Sequence, residues 1–170
     1  LMQPQKATHQ QTKVYNSQLV LKTIFDHGKV SRAEVARQTR LTRTTVSEVV
    51  AELMDRELVE EVGRGPSAGG KSPILLSVAE DARHIIAIDL ASAKFQGAVV
   101  NLRGSICHEV TLPAEGLSGD EALALVYELI DTLVQSTQRP VLGLGIGSPG
   151  LLDTKSGVVR RAVNLSWQDL

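Results

Sequence analysis

Between Leu41 and Met54 the apolar positions fall at Val46, Val49, Val50 and Leu53. This i, i+3, i+4, i+7 spacing lines one face of a helix. Thr42 stands where an N-cap belongs, and Arg43, Thr44, Thr45 and Ser47 fill the first two turns. Upstream, Val14, Leu19, Val20, Leu21, Ile24 and Phe25 follow a helical pattern that His27-Gly28 ends. Ser31-Arg32-Ala33-Glu34 reads as a capping box, with Ser31 and Glu34 each satisfying a backbone donor, and opens a short helix through Val35, Ala36 and Thr39. Arg40-Leu41 then turns tightly into the third helix, which makes a helix-turn-helix unit. Residues 1–13 are polar and Gln-rich with no apolar repeat, which predicts a mobile arm. Past a helix end near Arg56, Leu58–Val62 and Ile74–Val78 read as two strands around a Gly- and Pro-rich tip at 63–73.

A polar joint at 79–84 separates this half from one with a different grammar. His84–Leu90, Phe95–Leu102 and Ser105–Thr111 predict a three-strand meander. Asp120 to about Gln135 is an amphipathic helix with Leu123, Val126, Tyr127, Ile130 and Val134 expected inward. Val141–Gly147 is expected to be a further buried strand, Asp153–Gly157 a hairpin turn, and Ser166–Asp169 the start of another helix. The fold class is therefore α+β with two domains, residues 1–82 and 83–170.

Bulk properties narrow the function. The 170 residues are 42% hydrophobic and 22% charged, the balance of a globular chain, and at 3% aromatic the cores must be aliphatic. The net charge of −1 hides an asymmetry. Residues 1–47 carry eight Lys/Arg against two Asp/Glu, or +6, and the rest carries ten against seventeen, or −7. A basic segment on an acidic body suits nucleic acid, and equally suits a solvated basic face. Cys107 is the only cysteine, so no internal disulfide or cysteine-based zinc site is available. There is neither a leader pattern nor an apolar run of about 18 residues, and the expectation is a cytoplasmic protein without membrane contact.

The third helix places a cation and hydroxyls where helix stability prefers acids, and holds its acids back to Glu48 and Glu52. That arrangement fits an N-terminus facing phosphates and base edges. Arg43 is the candidate for bidentate contact to guanine, with Thr44, Thr45 and Ser47 against bases or phosphates, Thr45 being the one with the alternative of capping the helix or facing the core. Ser31 and Arg32 are expected to hold the DNA backbone, and Arg64 and Lys71 on the tip, read as a wing or as a generic surface loop, to reach the minor groove or a phosphate. The four histidines lack metal spacing, and no catalytic set or metal site can be argued. Gly145-x-Gly147-x-x-Gly150 matches the dinucleotide fingerprint, but no helical repeat follows it, so it reads as a decoy.

The second half resembles a known family. The order β-β-β-α-β with Asp89 near the end of its first strand is similar to the actin-like, ribonuclease-H-like ATPase fold. Gly145-Ile146-Gly147-Ser148-Pro149-Gly150, Leu152-Asp153, Gly157-Val158-Val159 and Asn164-Leu165-Ser166-Trp167 resemble the ROK family of repressors and sugar kinases. A winged helix ahead of such a domain resembles the repressor branch. The resemblance implies a sugar-responsive repressor that binds palindromic operator DNA as a homodimer or higher oligomer, with a sugar or sugar-phosphate effector contacted by Asn164; an Asn that closes its own loop is the plainer reading of that residue.

Two departures from the family pattern shape the expectation. Family kinases carry Asp-x-Gly-Gly-Thr after the first strand, so that backbone N–H groups close on phosphates; here Ala91, Ser92 and Ala93 stand in that loop. The chain is therefore expected not to be an enzyme, the alternative being a ROK sugar kinase with an added N-terminal domain. The family's catalytic Asp and His/Cys zinc cluster fall downstream of residue 170. That implies no cofactor in this chain, a structural zinc only in the downstream part, a truncated second domain, and an exposed sheet face or edge that needs a partner.

Overall fold

The computed structural model describes residues 8–66, 69–91 and 93–170. Most of the expected N-terminal arm, the tip residues Ser67 and Ala68, and Ser92 lie outside them. The chain divides into two compact units, Leu1–Glu80 and Asp81–Leu170, where the sequence pattern placed the boundary at 82/83.

In the first unit, α1 (His9–His27) begins well before the apolar repeat at Val14. Thr8 and Gln11 cap it reciprocally, each side chain bonding the other's backbone N–H, so residues expected in the arm are helical. A two-residue strand, β1 (Val30–Ser31), precedes α2 (Arg32–Thr39). Ser31 Oγ accepts the Glu34 N–H at 3.2 Å as expected. The Glu34 carboxylate departs from the expected capping box, turning instead to Arg37 and Gln38 at 2.7 Å, because a charged partner outcompetes a neutral amide. Arg40, at φ 59°, makes the turn into α3 (Arg43–Asp55). There Thr42 Oγ1 accepts the Thr45 N–H, and Val46, Val49, Val50 and Leu53 are buried on the expected face.

The hairpin β2 (Val59–Arg64) and β3 (Ile74–Val78) completes the unit in the order β1-β3-β2, all antiparallel. Val20, Ile24, Val35, Val46, Leu53 and Leu76 meet in its core. The β1 pairing, Val30 with Leu76 and Ser31 with Leu75, ties the start of α2 to the hairpin. Two residues are too few to show a period, so the pattern did not reveal this strand.

The second unit is built on a mixed sheet of order β6-β5-β4-β7. β4 (His84–Leu90), β5 (Lys94–Asn101) and β6 (Ile106–Pro113) form the meander. α4 (Gly119–Gln135) then carries the chain across to β7 (Val141–Gly147), parallel to β4. A smaller sheet of order β10-β9-β8 follows, from β8 (Leu151–Asp153), β9 (Val158–Ala162) and β10 (Trp167–Gln168).

Three expectations are corrected here. The buried face of α4 is Ala122, Val126, Leu129 and Leu133, while Tyr127 and Val134 are 61% and 46% exposed. The helix carries two neighbouring apolar stripes with the same spacing, and close packing of Leu129 and Leu133 on Gly97 of β5 selects one. β7 is a strand but every residue of it is exposed, because α4 lies over β5 and β6. Its apolar side chains make an uncovered sheet edge of the kind the sequence anticipated. Ser166–Asp169 does not begin a helix: a 3-10 turn at Val163–Leu165 leads to Ser166 at φ 54°, and Trp167 and Gln168 pair with β9. There the Trp167 ring is buried and its Nε1–H donates to the Gly119 carbonyl at 2.9 Å.

Candidate nucleic-acid interface

The first turn of α3 holds no acid; Arg43 and Thr44 are exposed on it, and Ser47 is exposed at the start of the second. Burial of Val46, Val49 and Val50 fixes the rotation of the helix and turns Thr44 outward on the opposite side, with Ser47 at the flank; Arg43, seven residues before Val50 and so near the buried stripe, is exposed where it opens the helix. Thr45 differs: it is half-buried and its hydroxyl lies 2.9 Å from Thr42 Oγ1, which commits it to the cap.

Four of the predicted residues, Ser31, Arg32, Arg43 and Lys71, line two grooves beside α2. A groove that includes Ser31, Ala33, Thr42 and Arg43 runs between α2 and α3. A second groove, which includes Ser31, Arg32, Ala33, Lys71 and Ser72, runs between α2 and the hairpin. Ser31 and Ala33 line both grooves, one bordered by Arg43 and the other by Lys71. Arg64 ends β2 and is exposed. Arg32 is engaged inside the unit, its Nη2 2.9 Å from Glu61 Oε1 and 3.7 Å from Met54 Sδ.

Two cations on this surface escaped the sequence reading. Arg37 lines the α2–α3 groove and Arg40 is exposed at the turn. Their signal was available, since Arg37, Arg40 and Arg43 recur every third residue across the turn. Arg37 forms an ion pair with Glu34 at 2.6 Å. Hydrogen bonds from Arg37, then Gln38, hold the Glu34 carboxyl below its ordinary value, and Glu34 in turn raises the Arg37 guanidinium. Glu34 therefore stays ionised and places one negative charge in an otherwise cationic groove.

In the second unit, Asn164 is exposed within the 3-10 turn that the buried Leu165 anchors. Asp89 pairs in register with Gln96 and Gly147 near the end of β4, and Ala91 and Ala93 are exposed just beyond. Gly145 and Gly147 lie within β7, and the chain passes from Gly150 into β8. The helix that a dinucleotide fingerprint needs at its glycines is replaced by a strand. Among the described residues no three His, Cys, Asp or Glu side chains are placed to hold a metal ion, and no helix is long and apolar enough to cross a membrane.

Residues 85–170 match the model of the ROK family. The chain is 36% identical to the xylose repressor of Caldicellulosiruptor bescii, over 95% of this chain and 42% of that protein. It is 31% identical to the xylose repressor of Bacillus subtilis, over 93% and 42%, and 25% identical to the N-acetylglucosamine repressor of Escherichia coli O157:H7, over 86% and 37%. The chain thus spans less than half the length of these relatives. Its fold is similar to the crystal structure of a ROK family transcriptional regulator, a homologue of the E. coli MLC protein, with a TM-score of 0.77 at 20% identity, over 94% of this chain and 41% of that one.

Proposed function

This chain belongs to the ROK family, and from that premise we propose that it is the DNA-binding and first effector-domain portion of a sugar-responsive transcriptional repressor. The first unit is a winged helix-turn-helix with α3 as its recognition helix and the β2–β3 hairpin as its wing. The second is the N-terminal part of an actin-like, ribonuclease-H-like sugar-binding domain. The observation that carries this reading is the acid-free start of α3, with Arg43, Thr44 and Ser47 exposed, and with Ser31 lining both the groove that Arg43 borders and the one that Lys71 borders.

Set in the major groove, the first turns of α3 meet base edges. Arg43 offers the two parallel donors that match guanine O6 and N7, while Thr44 and Ser47 reach bases or phosphates. Ser31 lies at the phosphate backbone, and Arg64 and Lys71 follow the wing to a minor groove or phosphate. A homodimer would place two such helices about one helical turn apart, roughly 34 Å, and so read a palindrome. Sugar bound near Asn164 in the intact protein would favour a dimer geometry unsuited to that spacing. The protein works in the cytoplasm, where operator and sugar meet. Ala91 and Ser92 stand in sequence where family kinases have the glycines whose backbone approaches the nucleotide, which disfavours the sugar kinase reading.

Gel shift of the chain against genomic fragments tests this directly. Binding that weakens steeply between low and moderate salt, and that Arg43→Ala abolishes at specific sites, is the expected result. Salt-insensitive binding, or none, would remove the DNA reading. Sugar-dependent ADP release by the full-length protein would restore the kinase.

A further inference from the structure

The guanidinium of Arg32 faces inward to the hairpin. Its Nη2 sits 2.9 Å from Glu61 Oε1 with Met54 Sδ at 3.7 Å, and the two charged side chains are only 33% and 39% exposed. Glu61 has a particular place in the ladder. It pairs with Leu76, and it is the last regular pair before the register shifts between Glu61 and Arg64. Gly63, at φ 118°, supplies the left-handed backbone that this irregularity uses. The bulge sets the direction in which Arg64 leaves the strand. Below it β2 is held regularly against β3; above it the hairpin closes through Gly65 N–H donating to the Pro73 carbonyl at 2.8 Å.

The other strand of the hairpin is tied to the same point. β3 pairs through Leu75 and Leu76 with Ser31 and Val30, the two residues that lead into Arg32. The start of α2 therefore grips both strands, β3 by backbone bonds and β2 by the Arg32–Glu61 pair. Arg32 is also the first residue of α2, where a cation opposes the helix dipole and an acid would be preferred. Its presence there is explained by what it reaches on β2.

We propose that Arg32 is a positioning residue: through Glu61 it sets the bulge of the wing and hence the aim of Arg64, and it does not contact DNA phosphate. This replaces the phosphate role expected from the sequence, and it rests on the winged-helix reading for its consequence in DNA binding. The two roles differ in measurable ways. A phosphate contact contributes to counterion release, so its loss lowers the slope of log K against log salt by about one. Loss of a positioning pair acts through Arg64, so its effect on affinity and slope vanishes in an Arg64→Ala background, where loss of a separate phosphate contact would still be felt. Removing Glu61, an acid on a DNA-facing element, would tighten binding if Arg32 and Glu61 acted separately, and weakens it if they act as a pair.

The experiment uses the whole chain and a duplex that the wild type selects from a randomised pool, with Arg32→Met, Glu61→Gln and the exchange Arg32→Glu/Glu61→Arg. The expected result is weaker binding by both single variants, on the order of 3- to 10-fold, no further weakening when Arg32→Met is added to Arg64→Ala, and recovery by the exchange, whose acid suits the first turn of α2. A slope lowered by about one when Arg32→Met is added to Arg64→Ala, or tighter binding by Glu61→Gln, overturns the proposal. Amide exchange gives a readout that needs no DNA. Arg32→Met is expected to speed exchange at the Gly65 amide, with the exchange variant restoring protection and α1 unaffected. Unchanged protection at Gly65 overturns the clamp, whereas a wild type that selects no duplex counts against the DNA reading alone.

Discussion

Leu133 of α4 lies so close over Gly97 of β5 that a β-carbon at Gly97 would overlap its Cδ1, and Leu129 Cδ1 would be 3.2 Å away. Leu129 and Leu133 are both fully buried, so neither can swing out to make room. Gly97→Ala is expected to destabilise the second unit by about 1–3 kcal/mol through overpacking. Urea unfolding followed by Trp167 fluorescence measures it, and a midpoint equal to the wild type would refute the packing argument.

Thr42 Oγ1 satisfies the Thr45 backbone N–H at 3.1 Å at the exposed start of α3. Thr42→Ala leaves that donor to water and is expected to cost about 1 kcal/mol. Thr42→Ser retains the hydroxyl and serves as the control. Equal thermal midpoints for the alanine and serine variants would contradict a capping role.

Arg43 is exposed and heads the face of α3 assigned to the bases. Arg43→Ala is expected to lose roughly 1–3 kcal/mol of discrimination against the wrong base at one position. Arg43→Lys retains the charge without the two-pronged geometry, so it should recover non-specific binding and not selectivity. Selection of the same sequence by all three proteins would exclude base contact by this residue.

Glu34 has its carboxyl held below the ordinary value of 4.5, first by the hydrogen bond from Arg37 and next by that from Gln38. A depressed folded-state value means that the ion pair adds stability above the unfolded value and loses it as pH falls through the folded one. The carboxyl resonance of Glu34 should therefore titrate with a midpoint under 4.5, and Arg37→Gln should move that midpoint upward. The advantage of wild type over Glu34→Gln should be present at neutral pH and vanish under acid. Titration of Glu34 at an unshifted midpoint would show that the pair is not populated in solution.

The apolar period of α3, the caps at Ser31 and Thr42, and the alternation of β4 and β5 were legible because each depends on neighbours within a few residues. Backbone geometry alone links those positions, whatever surrounds them. The polar candidates were legible for the same reason: once Val46 and Val50 are buried, Thr44 must point away, and Arg43 stands at the open start of the helix.

Choices between equivalent local solutions were decided only by the fold. Both stripes of α4 satisfy the helical period, and Gly97 selects between them by offering a surface without a β-carbon. The uniform apolar run of β7 specifies a strand, but its burial depends on whether another layer lies above it. Trp167 joins β9 as a strand because its indole finds the Gly119 carbonyl far away in sequence. Arg32 looked from its own neighbours like a free cation at a helix start, and only the β1 pairing and the hairpin bring Glu61 within its reach. Short-range periodicity determined the elements and the face each one buries or shows. Partners distant in the chain determined which of two permitted faces is used, and which charges remain available to a ligand, because those energies exist only once the elements have packed.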